Sequence, residues 1–343
     1  MPVCAIVSFR LGLSDGVSVV AASWQRALTS FGFDVITVAG DGPVDRRVRG
    51  LEIGASAPPD DSDVADALVD ADLVVVENLC TIPLNLPAAR ALARTLKDRA
   101  ALLHHHDPAW QQEKYAATTE LPPLDPAWRH VVINALSQQQ FADRGIDATL
   151  IYNGFDTDPP TGDRTTTRSA LDVADDERLL VHPVRAIPRK NVAGAIALAE
   201  SLGATYWLVG PAEDGYEAEL QRLLRAATCR VIHRPSPSTM DDVYAACDAV
   251  AFPSTWEGFG NPPIEASLHR KPVAVGDYPV ATELRALGFQ WFDAGCPAPL
   301  GEFLDSPDHE LLEHNRAVAV THFSYERMAA QLRALLQDAG WCP

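Results

Sequence analysis

The sequence predicts an α/β protein made of two similar halves, each with a parallel sheet, and three observations support this fold class. Short apolar segments alternate with segments of helical periodicity along most of the 343 residues. Strands that are apolar along their whole length are typical of parallel sheets covered on both faces. The alternation stops at Phe155–Glu177 and then resumes, and the chain is long enough for two domains with separate cores.

The first half contains five apolar segments that read as buried strands, with helices between them. The predicted strands are Val3–Phe9, Val35–Ala39, Leu73–Val76, Ala101–His104 and Val131–Asn134, and the predicted helices include Ser18–Phe31 and Leu86–Asp98. This half is the expected first domain, residues 1–155.

A segment rich in proline, threonine and aspartate, residues 156–177, is the expected linker. The second domain is then expected over residues 178–324. Its predicted strands are Leu179–Val184, Thr205–Val209, Arg230–Ile232 and Ala249–Phe252, and its predicted helices include Val192–Leu202, Glu217–Ala227 and Ile264–His269. A last helix, Tyr325–Asp338, has one apolar face and must pack on one of the two halves.

The charge balance limits the classes of partner. With 46 acidic and 28 basic residues the formal net charge is −18, which argues against nucleic acid and against a polybasic hold on anionic lipid. Six scattered cysteines form no metal-binding spacing and indicate free thiols in a reducing compartment. The N-terminus lacks the basic region of a signal peptide, and no apolar run approaches the roughly 20 residues that span a bilayer. We therefore expect a cytoplasmic protein.

The segment Pro253–Glu265, PSTWEGFGNPPIE, has the composition of a ligand site at the start of a helix. Glu257 and Glu265 accept hydrogen bonds from hydroxyl groups, and glycines let backbone N–H groups approach a ligand closely. Asn261 is the expected N-cap and Pro262 the first helical residue. Because a helix N-terminus favours negative charge, the segment fits a ligand that is both anionic and rich in hydroxyls, such as a nucleotide sugar.

A second group of charged residues opens the second half, in HPVRAIPRKN. Arg185 follows a predicted strand, Lys190 comes five positions later, and Asn191 is suited to cap the next helix. Two cations beside a helix N-terminus can hold a diphosphate. Ligands of open α/β sheets bind outside the carboxyl ends of strands, so we expect these residues to share one site with Glu257.

In the first half, the turn SFRLGLSDGVS follows the first strand and contains Gly12 and Gly16. It lacks the GxGxxG pattern, so it does not indicate a dinucleotide site. Ser14 or Asp15 is the expected cap of the following helix.

Three consecutive histidines, His104 to His106, end another predicted strand. Strand alternation places His104 and His106 on one face, which makes a zinc site an alternative. Metal sites usually draw their ligands from separate elements. We therefore expect no metal, and we expect His106, nearest the strand end, to face a ligand cleft.

Taken together, these residues resemble the retaining glycosyltransferases of family 4. Arg185 and Lys190 match the family's diphosphate-binding pair, and PSTWEGFGNPPIEA matches its motif of two glutamates separated by seven residues. Asn153-Gly154-Phe155-Asp156 is similar to the family's NGVD turn. A narrower resemblance, carried by HHHDPAW and YWLVGPAEDGY, is to enzymes of the mannosylglucosylglycerate synthase type.

The resemblance implies the GT-B fold, with two Rossmann-like domains facing a cleft and the last helix crossing back to the first domain. It implies retaining transfer of a hexose, mannose or glucose, from a nucleoside-diphosphate sugar to a small soluble acceptor, with GDP-mannose favoured over UDP-glucose. The resemblance also implies that the reaction requires no metal ion and that Mg²⁺ at most stimulates the transfer. The implied catalytic residues are Glu257, Arg185, Lys190 and His106; the donor contacts are Gly16, Gly258, Phe259, Gly260 and Glu265; the acceptor contacts are Arg10, Asp15 and Trp110.

Three alternatives to this function stay open at the level of sequence. They are a GT-B-fold sugar-nucleotide epimerase, a phosphorylase and a non-catalytic nucleotide-sugar-binding protein. Contacts to the donor base are expected near Ile232–Arg234. The long segment Asp107–Trp128 is expected either to shape the acceptor site or to be a surface insertion.

Overall fold

The computed structural model describes residues 1–13, 15–233 and 239–343. The chain divides into two compact units. Unit 1 comprises Met1–Gly154 together with Tyr325–Pro343, and unit 2 comprises Phe155–Ser324. Within the described ranges, no helix is both long and apolar enough to cross a membrane.

Unit 1 is built on a parallel sheet of seven strands in the order β3-β2-β1-β4-β5-β6-β7. The central strands are buried along their whole length, as their continuous apolar sequences require. The strands are β1 (Val3–Arg10), β2 (Asp34–Asp41), β3 (Arg46–Arg47), β4 (Leu73–Glu77), β5 (Ala101–His105), β6 (Trp128–Val132) and β7 (Ala148–Leu150).

Four helices lie between these strands, and each begins at an Asp or Asn whose side chain accepts a hydrogen bond from the first turn. They are α1 (Gly16–Ser30), α2 (Asp61–Ala67), α3 (Leu86–Leu96) and α4 (Ala135–Ala142). Two short 3-10 turns, Ala109–Gln111 and Glu113–Tyr115, follow β5.

Unit 2 contains a parallel sheet of six strands in the order β10-β9-β8-β11-β12-β13. The strands are β8 (Leu179–His182), β9 (Thr205–Leu208), β10 (Val231–His233), β11 (Ala249–Phe252), β12 (Val273–Val275) and β13 (Phe292–Asp293). The helices are α5 (Arg164–Ala170), α6 (Val192–Ser201), α7 (Glu217–Ala226), α8 (Met240–Ala246), α9 (Asn261–Leu268), α10 (Pro279–Ala286), α11 (Pro297–Asp305) and α12 (His309–Phe323).

The predicted fold class is confirmed, since both units are parallel sheets with crossover helices. Most predicted strands occur with shifts of one or two residues. The strand predicted at Val131–Asn134 begins earlier, at Trp128, and ends at Val132. Strands β3, β7, β12 and β13 were not predicted, because strands of two or three residues are too short to show a period.

The segment 156–177, expected to be a linker, contains helix α5 and belongs to unit 2. Arg168 of α5 is buried, and its guanidinium donates to the Ala246 carbonyl at 2.9 Å and lies 3.3 Å from Asp248 Oδ2. Arg164 pairs with the same carboxylate at 2.7 Å. Composition alone indicated a linker, because it does not show that Arg164 and Arg168 pair with Asp248, which lies about 80 residues later in the sequence.

The last helix, α13 (Tyr325–Asp338), packs into unit 1. Met328, Leu332 and Leu336 are buried and join a core cluster that contains Trp24 of α1 and Ile6 of β1. The apolar face predicted from the sequence is therefore the face of α13 that packs against the core of unit 1.

We expect Leu332→Ala to lower the free energy of unfolding by about 2–5 kcal/mol, because the truncation opens a cavity in the core beneath α13. Leu332 is 0% exposed, whereas Leu124 is 62% exposed and gives a matched control in Leu124→Ala. Urea unfolding measures both. A loss below about 1 kcal/mol for Leu332→Ala would show that the docking face contributes little.

Candidate functional site

Glu257 is the centre of a buried group of charges in unit 2. Lys190 Nζ lies 2.6 Å from Glu257 Oε1, and Arg189 pairs with Oε2 and also donates to the Trp256 carbonyl at 3.0 Å. Lys190 and Glu257 are 9% and 5% exposed. Lys190 ends a 3-10 turn that follows β8, and Glu257 lies in the loop after the adjacent strand β11. Carboxyl ends of neighbouring parallel strands thus bring the three side chains together.

Two opposing effects, burial and the neighbouring charges, set the protonation states of Glu257 and Lys190. Burial raises the pKa of Glu257, but Lys190 and Arg189 outweigh it, so the pKa of this carboxyl is below its usual value. Burial lowers the pKa of Lys190, and Glu257 opposes that shift. The site therefore holds a fixed carboxylate between two cations.

Five side-chain nitrogen or oxygen atoms of unit 2 are buried with no hydrogen-bond partner among the described residues, and two of them are Nε2 of His182 and the hydroxyl of Tyr278. The other ring nitrogen of His182 is 2.9 Å from the Tyr206 hydroxyl. Burial first raises the pKa of Tyr278 and Glu257 adds to that shift, whereas burial and then Lys190 lower the pKa of His182 and Glu257 opposes that shift. Buried polar atoms normally find partners, so these two are suited to bind a polar ligand.

Glu265 projects from the first turns of α9, where a tyrosine holds it. The Tyr244 hydroxyl donates to Glu265 Oε2 at 2.6 Å, and the Tyr244 ring stacks on His269 at 4.7 Å. Burial raises the pKa of Glu265, and the hydrogen bond from Tyr244 opposes this shift. One carboxylate oxygen is thus tied to unit 2, which fixes the direction of the other.

The cap of α9 differs from the prediction. Asn261 is the first helical residue, and the N-cap is Gly260 with φ of 95°. A Cβ at this position would lie 2.7 Å from the Tyr278 hydroxyl. Gly260 is therefore required both by the left-handed backbone and by the close approach of Tyr278.

Phe259, predicted as a donor contact, has a buried side chain within an aromatic cluster of unit 2. Its ring centroid lies 6.3 Å from that of Phe155 and 5.7 Å from that of Phe323. The ring anchors the loop, so only the backbone at Gly258 to Gly260 is suited to meet a ligand. Of the predicted base-contact segment, Ile232 is buried in β10, and Arg234 lies outside the described residues.

Arg185 is half-exposed and pairs with Glu213 at 2.5 Å rather than with Glu257. Its charge still contributes to lowering the pKa of Lys190, after burial and the larger charge effects. Asn191 caps α6 as predicted, with its Oδ1 3.0 Å from the Gly194 N–H, and its Nδ2 donates to the Pro253 carbonyl at 3.2 Å. The cations predicted from HPVRAIPRKN thus stand beside a capped helix N-terminus.

In unit 1, His106 belongs to a buried triad with Glu77 and His104. His106 Nε2 is 2.8 Å from Glu77 Oε2, and His104 Nδ1 is 3.0 Å from the same oxygen. Burial opposes ionisation of Glu77, but the two histidines lower its pKa to about 2. The His104 ring also stacks on Trp24 at 4.0 Å. A carboxylate at the end of β4 therefore orients His106 at the end of β5.

The same three side chains are the group to consider for a metal ion. Their ligand atoms lie within 4.8 Å of one another, and all three side chains are buried. Two histidines and one carboxylate are a common donor set for zinc. In the structure each histidine nitrogen pairs with the carboxylate at hydrogen-bonding distance.

The predicted acceptor residues of unit 1 lie at the carboxyl end of β1 and after β5. Asp15 caps α1 by accepting from the Ser18 N–H at 3.3 Å, and Arg10 pairs with Asp15 at 3.3 Å. Ser14, the alternative cap, lies outside the described residues. A Cβ on Gly16 would meet no atom within 4 Å, so neither space nor backbone requires glycine there.

Trp110 packs against α4 of unit 1. Its Nε1 donates to Gln140 Oε1 at 2.9 Å, and Arg144 lies 4.2 Å above its ring. Farther along the segment Asp107–Trp128, Glu120 pairs with Arg90 of α3 at 2.5 Å. The segment Asp107–Trp128 is thus tied down at both of these points.

The sequence analysis missed three residues that contact predicted site residues: Arg189 and Tyr244 in unit 2 and Glu77 in unit 1. Arg189 was visible as the neighbour of Lys190 in HPVRAIPRKN. Glu77 directly follows the apolar run Leu73–Val76, and a charge at a strand end was the available signal. Tyr244 gave no signal, because its partner Glu265 is 21 positions away.

Known proteins resemble this chain in both sequence and fold. Residues 163–294 match the family model described as Glycosyl transferases group 1. The chain is 24% identical to mannosylglucosylglycerate synthase from Thermotoga maritima, with 94% of this chain and 97% of that protein covered. It is 25% identical to the enzyme of the same name from Petrotoga mobilis, with 85% and 86% covered. HepE from Anabaena, crystallised with UDP and glucose, matches with a TM-score of 0.78 at 20% identity, over 98% of this chain and 100% of HepE.

The family match places a Glycosyl transferases group 1 domain at residues 163–294, and the two parallel-sheet units have the fold of the GT-B glycosyltransferase structures. The Glycosyl transferases group 1 domain lies within unit 2 and contains Arg189, Lys190, Glu257 and Glu265. The chain is similar over most of its length to the two mannosylglucosylglycerate synthases.

The buried His182 makes stability depend on pH. Burial first, and then Lys190, lower its pKa to about 3 in the folded protein, against an ordinary value of 6.5. Below pH 6.5 the unfolded chain takes up a proton there and the folded chain does not. The free energy of unfolding is therefore expected to decrease as the pH is lowered below 6.5, by about 1.4 kcal/mol per pH unit for this residue.

In urea unfolding between pH 7 and pH 5, His182→Gln should show a shallower loss of stability than the wild type. His309→Gln, at an exposed histidine, should keep the wild-type slope. Equal slopes in all three proteins would contradict the assignment of the pH dependence to His182.

Proposed function

We propose that the protein transfers a hexose, with retention of anomeric configuration, from a nucleoside-diphosphate sugar to a hydroxyl group of a small soluble acceptor. The buried ion pair of Lys190 and Glu257, joined by the partly exposed Arg189 at the carboxyl ends of β8 and β11, is the observation that carries the proposal. It combines a fixed carboxylate for sugar hydroxyls with cations for a diphosphate.

Each charged residue of the proposed donor site in unit 2 has a role that follows from its environment. Lys190 and Arg185, beside the N-terminus of α6, stabilise the charge that develops on the departing diphosphate. Glu257 is ionised and held in place, so its carboxylate and the backbone of Gly258 to Gly260 orient the sugar. Tyr244 occupies one oxygen of Glu265, and the other oxygen accepts from the ribose diol.

The reaction breaks the bond between the anomeric carbon and the diphosphate oxygen and forms a bond from that carbon to the acceptor oxygen on the same face. The proton of the acceptor hydroxyl passes to the leaving phosphate, which gains the electron pair of the broken bond. No protein side chain is needed as a covalent nucleophile. His106, oriented by Glu77, is the proposed unit 1 contact of the donor sugar.

Two comparisons suggest the donor. The relatives named mannosylglucosylglycerate synthase favour a mannosyl donor, while the HepE structure contains UDP and glucose. We propose GDP-mannose as the first candidate and UDP-glucose as the second. Thermal shifts with GDP, UDP, ADP and dTDP separate them, since a ligand at 100 times its Kd stabilises by about 2.7 kcal/mol.

Lys190→Ala and Glu257→Ala are each expected to lower turnover by about 100-fold or more, because each removes a preorganised charge from the site. The measurement is formation of the glycosylated product with the donor chosen by the thermal-shift panel. Lys97→Ala and Glu217→Ala, at exposed positions, are the matched controls.

Product analysis in the same assay separates the competing activities. An epimerase consumes donor without an acceptor, a phosphorylase requires inorganic phosphate, and a binding protein forms no product. Near-normal transfer by folded Lys190→Ala or Glu257→Ala would contradict the proposed site.

We also propose that the chemistry needs no metal, since Lys190, Arg189, Arg185 and the α6 N-terminus supply the positive charge that Mg²⁺ supplies elsewhere. Transfer should therefore persist within about twofold after dialysis against EDTA. Elemental analysis of the dialysed protein gives an independent check on the Glu77, His104 and His106 group. Loss of transfer that zinc or Mg²⁺ restores would show that the proposal is wrong.

A further inference from the structure

Three side chains with metal-binding atoms meet at the carboxyl ends of β4 and β5 in unit 1. Glu77 is the last residue of β4 and is the register partner of His104 in β5. His106 follows two positions after His104, so strand alternation turns its ring towards the same face of the sheet. The three groups therefore come from two neighbouring elements, and not from the histidine run alone, as is usual for the ligands of a metal site.

The ligand atoms of these side chains are close to the spacing that a zinc ion imposes. His104 Nδ1 is 3.0 Å from Glu77 Oε2, His106 Nε2 is 2.8 Å from the same oxygen, and the three ligand atoms lie within 4.8 Å of one another. Zinc bonds to nitrogen and oxygen are about 2.0–2.2 Å long, which places tetrahedral ligands about 3.3–3.6 Å apart. Small rotations of the side chains are therefore enough to admit the ion.

The surroundings hold the two imidazole rings in place. The His104 ring stacks on Trp24 with 4.0 Å between the ring centroids, and Asn78 Oδ1 accepts from the backbone N–H of His106 at 3.1 Å. Glu77 and His104 are 0% and 1% exposed, whereas His106 is 5% exposed. The group is therefore open to solvent on the side of His106, where an ion can enter.

The donor set selects the kind of ion. A zinc site with an open fourth position has three protein ligands, and two histidines with one glutamate are one of its usual sets. Imidazole suits zinc, copper, iron and nickel, whereas Mg²⁺ prefers carboxylates, carbonyls and water. Burial opposes ionisation of Glu77, but the two histidines lower its pKa to about 2, so its carboxylate can ligate without losing a proton.

A bound ion and the present hydrogen bonds exclude each other. An ionised carboxylate only accepts hydrogen bonds, so His104 Nδ1 and His106 Nε2 both donate to Glu77. A metal ion needs the lone pair of each of these nitrogens, and the ring proton then moves to the other nitrogen of each imidazole. For His106 the proton moves to Nδ1, which changes this atom from a hydrogen-bond acceptor to a donor.

We propose that Glu77, His104 and His106 form a site for a zinc ion, and that the bound ion inhibits glycosyl transfer. The site depends on the geometry of unit 1 alone, whereas the inhibition rests on the proposed function, in which His106 contacts the donor sugar. In the metal-free protein His106 Nδ1 accepts from a sugar hydroxyl, and the zinc form presents an N–H there instead. Added zinc therefore lowers a transfer activity that needs no metal.

Calorimetric titration of the metal-free protein with zinc chloride tests the site. The wild type is expected to bind one zinc ion there and no Mg²⁺. Glu77→Gln and His104→Gln should each weaken zinc binding by more than about 100-fold, the upper end of the loss for residues that merely orient a metal ligand. Co²⁺ in place of zinc should give the visible absorption of a four-coordinate site, without the thiolate band that binding at the exposed Cys296 would produce.

His105→Gln is the matched control, because His105 is the buried neighbour that pairs with Thr81 and His130 and not with Glu77. It removes a histidine from the same strand and should keep the zinc affinity of the wild type. Circular dichroism and thermal unfolding check that each variant is folded. Absence of zinc binding by the wild type, or wild-type affinity in folded Glu77→Gln and His104→Gln, overturns the site.

Transfer assays with and without zinc test the inhibition. With zinc at about ten times its Kd, where about nine sites in ten are filled, transfer by the wild type should fall at least fivefold, and EDTA should restore it. In His104→Gln the ratio of the rates with and without zinc should stay near one at the same concentration. Zinc binding to the wild type with unchanged transfer overturns the inhibition. Zinc binding that Glu77→Gln abolishes, in a protein that shows no transfer under any condition, supports the site and contradicts the proposed function.

Discussion

The ion pair between Glu257 and Lys190 fixes the conformation of the two loops that follow β8 and β11. A carboxylate removed from water is stable only when cations and hydrogen bonds replace its hydration. Glu257 obtains both cations from a single turn, Arg189 and Lys190, which joins the loop after β8 to the loop after β11. The same loops are joined again by the Thr255 N–H, which donates to the Arg189 carbonyl at 2.9 Å. The charges thus hold in place the backbone that surrounds them.

Unit 1 also contains a buried carboxylate, and different residues are its partners. Glu77 is fully buried, and two histidines replace the lysine and arginine of unit 2. Histidine charge depends on proton uptake, whereas arginine stays charged at any ordinary pH. The two buried carboxylates therefore differ in the chemistry of their partners: Glu77 is paired with two imidazole rings, and Glu257 with an ammonium and a guanidinium group.

The sequence was informative where the structure depends on local patterns. Continuous apolar strands predicted both sheets, and the cap at Asn191 was read from a single residue before an apolar helix. Lys190 and Glu257 were predicted to share a site because both follow strands, and they form a direct pair.

Contacts over long separations were not predictable in this way. Arg168 reads as part of a linker until Asp248 is placed beside it, and Tyr244 acquires its role only from Glu265. Phe259 lies within a binding motif, yet its ring is used for packing. Periodicity and motif spacing carry no information about such partners, because tertiary packing selects them.

The position of α13 has a consequence for the order in which the protein can assemble during synthesis. The core of unit 1 is incomplete without Met328, Leu332 and Leu336, which leave the ribosome after all of unit 2. Unit 2 is one continuous stretch of chain whose ends meet, since the Phe155 N–H donates to the Phe323 carbonyl at 2.8 Å. The later-encoded unit can therefore reach its native state first, and the unit that begins the chain is finished last.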